Sequence, residues 1–365
     1  MKNLLSLLCL LPIAAAAQPD VFPAPHQAQF GQKIAKPKAV TVCDMADKQA
    51  AKRYKKLVPA KGESYYLSVT PKEIVLVGRD ANGLRYGQQT LAAITEGDSI
   101  WTATITDWPD ITHRGTVEGF YGEPWSHEAR LRQIEFYGRH RLNTYIYGPK
   151  DDPYHSSPHW RDAYPADQAS KISELVKASR QAGVNFVWAI HPGKDIKWNK
   201  TDSANVLRKF EMMYELGVRH FAVFFDDISG EGTSAKGQAG LLNYIDNEFV
   251  KPKGDVGPLV MCPTDYNKSW GNYSEGHYMW TLGRTLNPSV EIMWTGDHVI
   301  DQVTNKTLDF INPIMARKAY IWWNFPVSDY VRDHLLMGPV YGNDCDVQDK
   351  LSGFVSNPLE HADAS

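Results

Sequence analysis

The sequence has almost no excess charge: 39 Lys and Arg stand against 42 Asp and Glu in 365 residues, a formal net charge of −3. No basic patch or polybasic run offers a footprint for DNA, RNA or an anionic membrane surface. Cysteine is scarce too. Of the four, Cys9 falls in an amino-terminal apolar run, leaving Cys43, Cys262 and Cys345. Three scattered cysteines make at most one bridge, which excludes a disulfide framework. No CxxC, HExxH or Cys/His pair at ligand spacing suggests zinc. No apolar run is long enough to span a bilayer.

Aromatic residues are plentiful, with 11 Trp, 18 Tyr and 13 Phe. Their faces suit flat, partly apolar ligands such as sugar rings, although a large core absorbs most of them. A hydrophobic fraction of 43% supplies that core. The length suits two domains, or one large barrel with an appendage.

The start reads as a cleaved export signal over residues 1–17. Met1-Lys2-Asn3 is basic, residues 4–13 are apolar, and Ala14 to Ala17 are small. The expected location is therefore periplasmic or secreted. Leu7 and Leu8 precede Cys9 where a lipid-attachment site needs small residues, so no membrane anchor is expected. The competing reading is a buried amino-terminal helix.

Residues 18–109 read as a small α+β accessory domain. A helical stretch covers 44–57, strands cover 65–70 and 73–78, Asp80-Ala81-Asn82-Gly83 has turn chemistry, and a helix follows over 84–94. Trp108-Pro109-Asp110 looks like a linker. From residue 110 to 365 strand and helix patterns alternate. Strands are expected at 112–121, 142–148, 184–191, 218–226, 259–263, 291–295, 319–324 and 352–355. Most are continuous apolar runs, as in a parallel sheet buried on both faces. Helical patterns cover 126–140, 166–182, 204–216, 237–248 and 327–336. This α/β pattern fits a (β/α)8 TIM barrel. A doubly wound sheet is the alternative, but no GxGxxG follows any strand. Only residues 357–365 follow the last strand, too few for an eighth helix. The barrel is thus expected to be C-terminally incomplete, with the flanks of its first and last strands open. A version extended through that helix would then be more soluble or more active.

In such barrels chemistry sits at the carboxyl ends of the strands. Those ends carry Glu118-Gly119, Lys150-Asp151-Asp152, His191, Asp226-Asp227, Thr264-Asp265-Tyr266-Asn267, Thr295-Gly296-Asp297, Asn324 and Asn357. Either they ring one cavity or they simply begin loops. Asp226-Asp227, closing an apolar strand, is the sharpest feature. Two carboxylates held close cannot both ionise freely, which splits their pKa values as acid–base work requires. A helix cap and a calcium loop compete, but Ile228 interrupts the oxygen series that calcium needs. Ordinary glycosidases place their carboxylates on opposite sides of the scissile bond, about 5 to 9.5 Å apart, which neighbours on one strand end rarely achieve. Such a pair needs another nucleophile, and a substrate 2-acetamido oxygen can supply it. The predicted ligand is an N-acetylated sugar.

Three runs, residues 113–126 (HRGTVEGFYGEPWS), 145–154 (YIYGPKDDPY) and 322–330 (WWNFPVSDY), together with Asp226-Asp227, resemble glycoside hydrolase family 84. The likeness extends over the barrel, points to the family's bacterial branch, and includes the preceding α+β unit. It implies a retaining exo-β-N-acetylglucosaminidase acting through an oxazoline-type intermediate. Asp226 would then hold and polarise the acetamido group, and Asp227 would be general acid, then base. Tyr266 would serve the anomeric centre and Thr295 would support Asp226. Gly119, Lys150 and Asn357 would hold ring hydroxyls from one side, with Asn324 and Asp329 at the far edge. Trp322 would line the pocket, since only one of Trp322 and Trp323 can face it. Lys150 pairing with Asp151 is the plainer alternative for that residue. His191 receives no role, and Trp198 stays open between site and packing. No cofactor or metal is implied. The expected partners are GlcNAc-bearing glycans or glycoproteins, with no nucleic acid. A broader hexosaminidase or hyaluronidase-like activity, and a sugar-binding barrel without turnover, are the rivals.

Overall fold

A computed structural model describes residues 18–331 and 333–364, so the expected signal sequence lies outside the described residues. The chain divides after Pro109 into two compact units. No helix among the described residues is long and apolar enough to cross a membrane.

The first unit holds β1 (Gln27–Ala35), β2 (Ala39–Asp44), α1 (Lys48–Tyr54), β3 (Tyr65–Val69), β4 (Glu73–Gly78), α2 (Ala81–Ala93), β5 (Thr95–Glu96) and β6 (Ser99–Asp107). Its sheet runs β1-β6-β3-β4-β2, with β5 beside β6. Leu67, Leu76, Ile100 and Ile105 form its core with Tyr86 of α2. The expected turn at Asp80 is instead the helix start: the Asp80 carboxylate accepts the Gly83 N–H and caps α2. The two edge strands β1 and β2 went unread because they are almost wholly exposed and lack alternation. Strand β6 is not among the expected strands either, although Ile100, Ala103 and Ile105 are buried between less buried neighbours.

The second unit is a closed barrel of β7 (His113–Glu118), β8 (Thr144–Tyr147), β9 (Asn185–Ile190), β10 (His220–Phe224), β11 (Val260–Cys262), β12 (Glu291–Trp294), β13 (Ala319–Trp323) and β14 (Leu351–Ser356). Outside it run α3 (His127–Arg139), α4 (Ala166–Ala182), α5 (Lys200–Glu215), α6 (Ala235–Ile245) continuing through a π turn (Asp246–Val250) into α7 (Lys251–Lys253), α8 (Tyr278–Thr285) and α9 (Asn305–Met315). Alternation sorts the strands as the pleat requires. Val117, Ile146, Ala222, Phe224, Tyr320 and Trp322 fill the barrel. Trp188, Phe221, Trp294, Ile321 and Trp323 face the helices.

Two expectations fail here. The barrel is not open: β14 pairs in parallel with both β13 and β7, with Val355 opposite Gly115. Closure depends on backbone pairing along the strands, which needs no eighth helix. The segment after β14 packs on α3 and the turn before it instead: Trp125 Nε1 donates to the Leu359 carbonyl at 3.0 Å, and Gln133 of α3 to that of Ala362 at 2.6 Å. The second failure is the helix over 327–336. Its described residues form a loop in which Val327 is buried and Leu335 exposed, so the apparent helical spacing serves no common face. Helices α8 and α9 were unread, the latter because Pro313 sits inside it.

Candidate active site

The loops after the barrel strands enclose a cavity of about 180 Å³. All ten residues proposed from the sequence line it: Gly119, Lys150, Asp226, Asp227, Tyr266, Thr295, Trp322, Asn324, Asp329 and Asn357. Tyr121, Cys262, Val299, Ile300, Val327 and Tyr330 complete the lining. The polar strand ends do not all face this cavity. Glu118 is fully buried behind β7, held by Arg130 at 2.7 and 2.9 Å and by the Trp125 N–H. Asp152 accepts the hydroxyls of Tyr147 and Tyr164 at 2.8 and 2.9 Å. Both are buried structural hubs. Trp198 is a packing residue, with its Nε1 on the Glu231 carbonyl and its ring beside Phe225 and against Gly237.

Strand β10 delivers the aspartates. Asp227 takes φ +54°, a left-handed conformation that Asp tolerates better than most residues. Backbone strain of this kind is characteristic of functional sites. The two neighbours have different surroundings. Asp226 is buried, and one of its oxygens, Oδ2, pairs with the Lys150 ammonium. Burial by itself raises the Asp226 carboxyl, but the charge of Lys150, with help from His191, outweighs it and holds the group well below the usual carboxylate range. Its other oxygen, Oδ1, is buried without a hydrogen-bond partner. Lys150 thus pairs with Asp226, while Asp151 accepts the Gly122 N–H at 2.9 Å.

Asp227 accepts the Tyr266 hydroxyl on Oδ1 and the Tyr121 hydroxyl on Oδ2, both at 2.8 Å. Burial, then the nearby carboxylates, push both phenols far above their ordinary range, so they remain donors. Tyr121 was missed as a site residue although it stands in the first resemblance run. An aromatic just beyond a barrel strand was its available signal.

The expected link from Thr295 to Asp226 is not formed. The Thr295 hydroxyl donates to the His298 carbonyl at 2.9 Å, and its N–H to that of Tyr266 at 2.9 Å. Thr295 therefore fixes the Tyr266 segment. On the facing wall, Trp322 Nε1 and the Asn357 amide both donate to Asn324 Oδ1, at 2.9 and 3.0 Å, and Asn357 Oδ1 accepts the Gly119 N–H at 3.3 Å. Asp329 accepts the Tyr121 N–H at 2.9 Å.

Gly119 has no room for a side chain, because a Cβ there would lie 2.4 Å from the Trp322 ring. Gly119→Ala is expected to displace that ring and lower kcat/KM by about 100-fold. Steady-state kinetics on an aryl β-N-acetylglucosaminide, with a melting curve to separate misfolding, check this.

Fold and site together define the glycoside-hydrolase class of barrel. Residues 114–365 match a family model for β-N-acetylglucosaminidase, and residues 46–108 match domain 2 of glycosyl hydrolase family 20. The chain is 33% identical over 253 residues to a Protein O-GlcNAcase of Mus musculus, covering 67% of this chain and 28% of the mouse protein. It therefore spans a little over a quarter of the length of the curated relatives it matches. The solved structure of CpGH84B is similar with a TM-score of 0.89 and 32% identity, over 95% of this chain and 69% of that one. A Thermobaculum terrenum O-GlcNAc hydrolase mutant gives a TM-score of 0.66 and 30% identity, over 70% of this chain and 57% of its own. The chain belongs to the β-N-acetylglucosaminidase family, glycoside hydrolase family 84.

Proposed function

We propose that this protein is a retaining exo-β-N-acetylglucosaminidase that releases terminal β-linked GlcNAc, O-GlcNAc on glycoproteins included, by substrate-assisted catalysis. The observation that carries the reading is the unequal environment of two adjacent aspartates. Asp226 is an ionised acceptor with one buried oxygen free, suited to bind the substrate N–H. Asp227 is held by two phenols at the more open side, suited to proton transfer.

In the first step the acetamido carbonyl oxygen attacks C1, while Asp227 gives its proton to the departing glycosidic oxygen. Asp226 accepts the acetamido N–H and stabilises the positive charge that develops as the oxazoline ring closes. In the second step Asp227 takes a proton from water, the water oxygen bonds to C1, and the ring reopens. Two displacements at one centre retain its configuration. The near-neutral chain suits an uncharged sugar, and the names of the relatives support GlcNAc as that sugar. The basic and then apolar amino-terminal sequence supports, as part of this proposal, export to the periplasm or outside the cell.

Progressive fluorination of the substrate N-acetyl group tests the reading. Fluorine weakens the internal nucleophile, so kcat/KM is expected to fall steeply along the series. A flat response would refute substrate assistance.

A further inference from the structure

The turn His191-Pro192-Gly193 after β9 lies against the loop after β10. A Cβ on Gly232 would come within 2.0 Å of the Gly193 carbonyl oxygen, and one on Gly193 within 2.7 Å of Ile228, so only glycines allow this approach. It seats the His191 ring, 2% exposed, beneath Asp226. Nε2 of His191 is 2.8 Å from the Asp226 carbonyl oxygen. A carbonyl can only accept, so Nε2 carries a proton, while Nδ1 has no hydrogen-bond partner. The same Nε2 is 3.5 Å from Asp226 Oδ1, the free oxygen. Behind it stands His155, ring centroids 6.2 Å apart, its Nδ1 held by the Ala189 carbonyl at 2.6 Å. Burial, with His191 adding, pushes His155 down to about 3, so a neutral ring backs His191.

We infer that His191 is a positioning residue, which fixes the backbone and carboxylate plane of Asp226 so that Oδ1 meets the substrate acetamido N–H. The inference rests on the proposed substrate-assisted mechanism. The division of labour follows from the contacts. Lys150 occupies Oδ2 and keeps the carboxylate charged. His191 holds the main chain beneath it through Nε2 and leaves Oδ1 without a hydrogen-bond partner.

Three variants test this on aryl β-N-acetylglucosaminides with good and poor leaving groups. Gln places its terminal amide where Nε2 lies, whereas Asn reaches only the position of Nδ1. His191→Phe and His191→Asn are expected to lower kcat by roughly 10- to 100-fold with KM within about threefold. The loss is expected to be the same for both leaving groups, because Asp227 is untouched. His191→Gln is expected to restore most of it. The inference is overturned if the Phe and Asn variants turn over within about twofold of wild type. It is also overturned if the loss grows with leaving-group pKa, or if Gln and Asn, at equal melting temperature, are equally impaired. A flat response of the wild type to N-acetyl fluorination overturns the mechanism and the inference with it. A steep wild-type response with unaffected variants overturns the inference alone.

Discussion

Asp227→Asn is expected to cut turnover of a substrate with a poor leaving group by about 10²- to 10⁴-fold, the usual worth of general acid–base catalysis. An activated aryl glycoside, whose leaving oxygen needs little protonation, is expected to lose far less in its first step. The geometry makes this contrast sharp. Asn fits the left-handed backbone at this position nearly as well as Asp, and its amide oxygen still accepts one of the two phenol hydroxyls. The substitution therefore removes the proton carrier while leaving the walls of the site in place. Asp226→Asn should behave differently, impairing good and poor leaving groups alike, because it disturbs the internal nucleophile. Leaving-group series for both variants check the assignment, and equal sensitivity of the two would show that the roles are misassigned.

Arg130→Met is expected to destabilise the barrel by about 3–5 kcal/mol, the cost of leaving a buried charge without its partner. Glu118 is completely buried, and Arg130 meets it with two parallel N–H donors from α3. The Tyr145 hydroxyl and Trp125 N–H use up its remaining acceptor positions. With the guanidinium gone, the buried carboxylate loses the cation that it pairs with. At about 2–4 °C per kcal/mol for a chain of this size, the melting temperature should fall by roughly 6–20 °C. The double variant Glu118→Gln, Arg130→Met should recover much of that loss, since removing both charges removes the penalty. Calorimetry on the two proteins is the check. A double variant as unstable as the single would show that packing, and not charge, dominates there.

The barrel was legible because buried parallel strands write themselves as apolar runs, and β8, β9, β10 and β13 did so within a few residues. What blurred were elements whose burial comes from tertiary context. Strands β1 and β2 lie on exposed edges, and α9 carries a proline that local rules read as a break. The site was legible in membership and less so in wiring. Asp226-Asp227 announced themselves by ending an apolar strand, and Gly119, Lys150, Tyr266, Thr295, Asn324 and Asn357 also stand at strand ends, but the roles of these others came through the resemblance. The pairing of Lys150 with Asp226 joins positions 76 residues apart, and no spacing rule encodes that. Glu118 and Asp152 looked equally poised for the cavity. The pleat of β7 with Arg130 and Tyr145 turns Glu118 outward, and the hydroxyls of Tyr147 and Tyr164 hold Asp152.

The wall made by Gly119, Trp322, Asn324 and Asn357 straddles the seam where the last strand meets the first. The bond from Gly119 to Asn357 joins positions 238 residues apart, so the two ends of the barrel sequence meet at the wall of the cavity. During synthesis both aspartates emerge long before that seam can form. A nascent chain thus carries both aspartates before the wall opposite them is complete, and that wall closes when β14 docks between β13 and β7. A fragment ending between Asp227 and Asn357 should hold both aspartates but lack the residue that joins this wall across the seam.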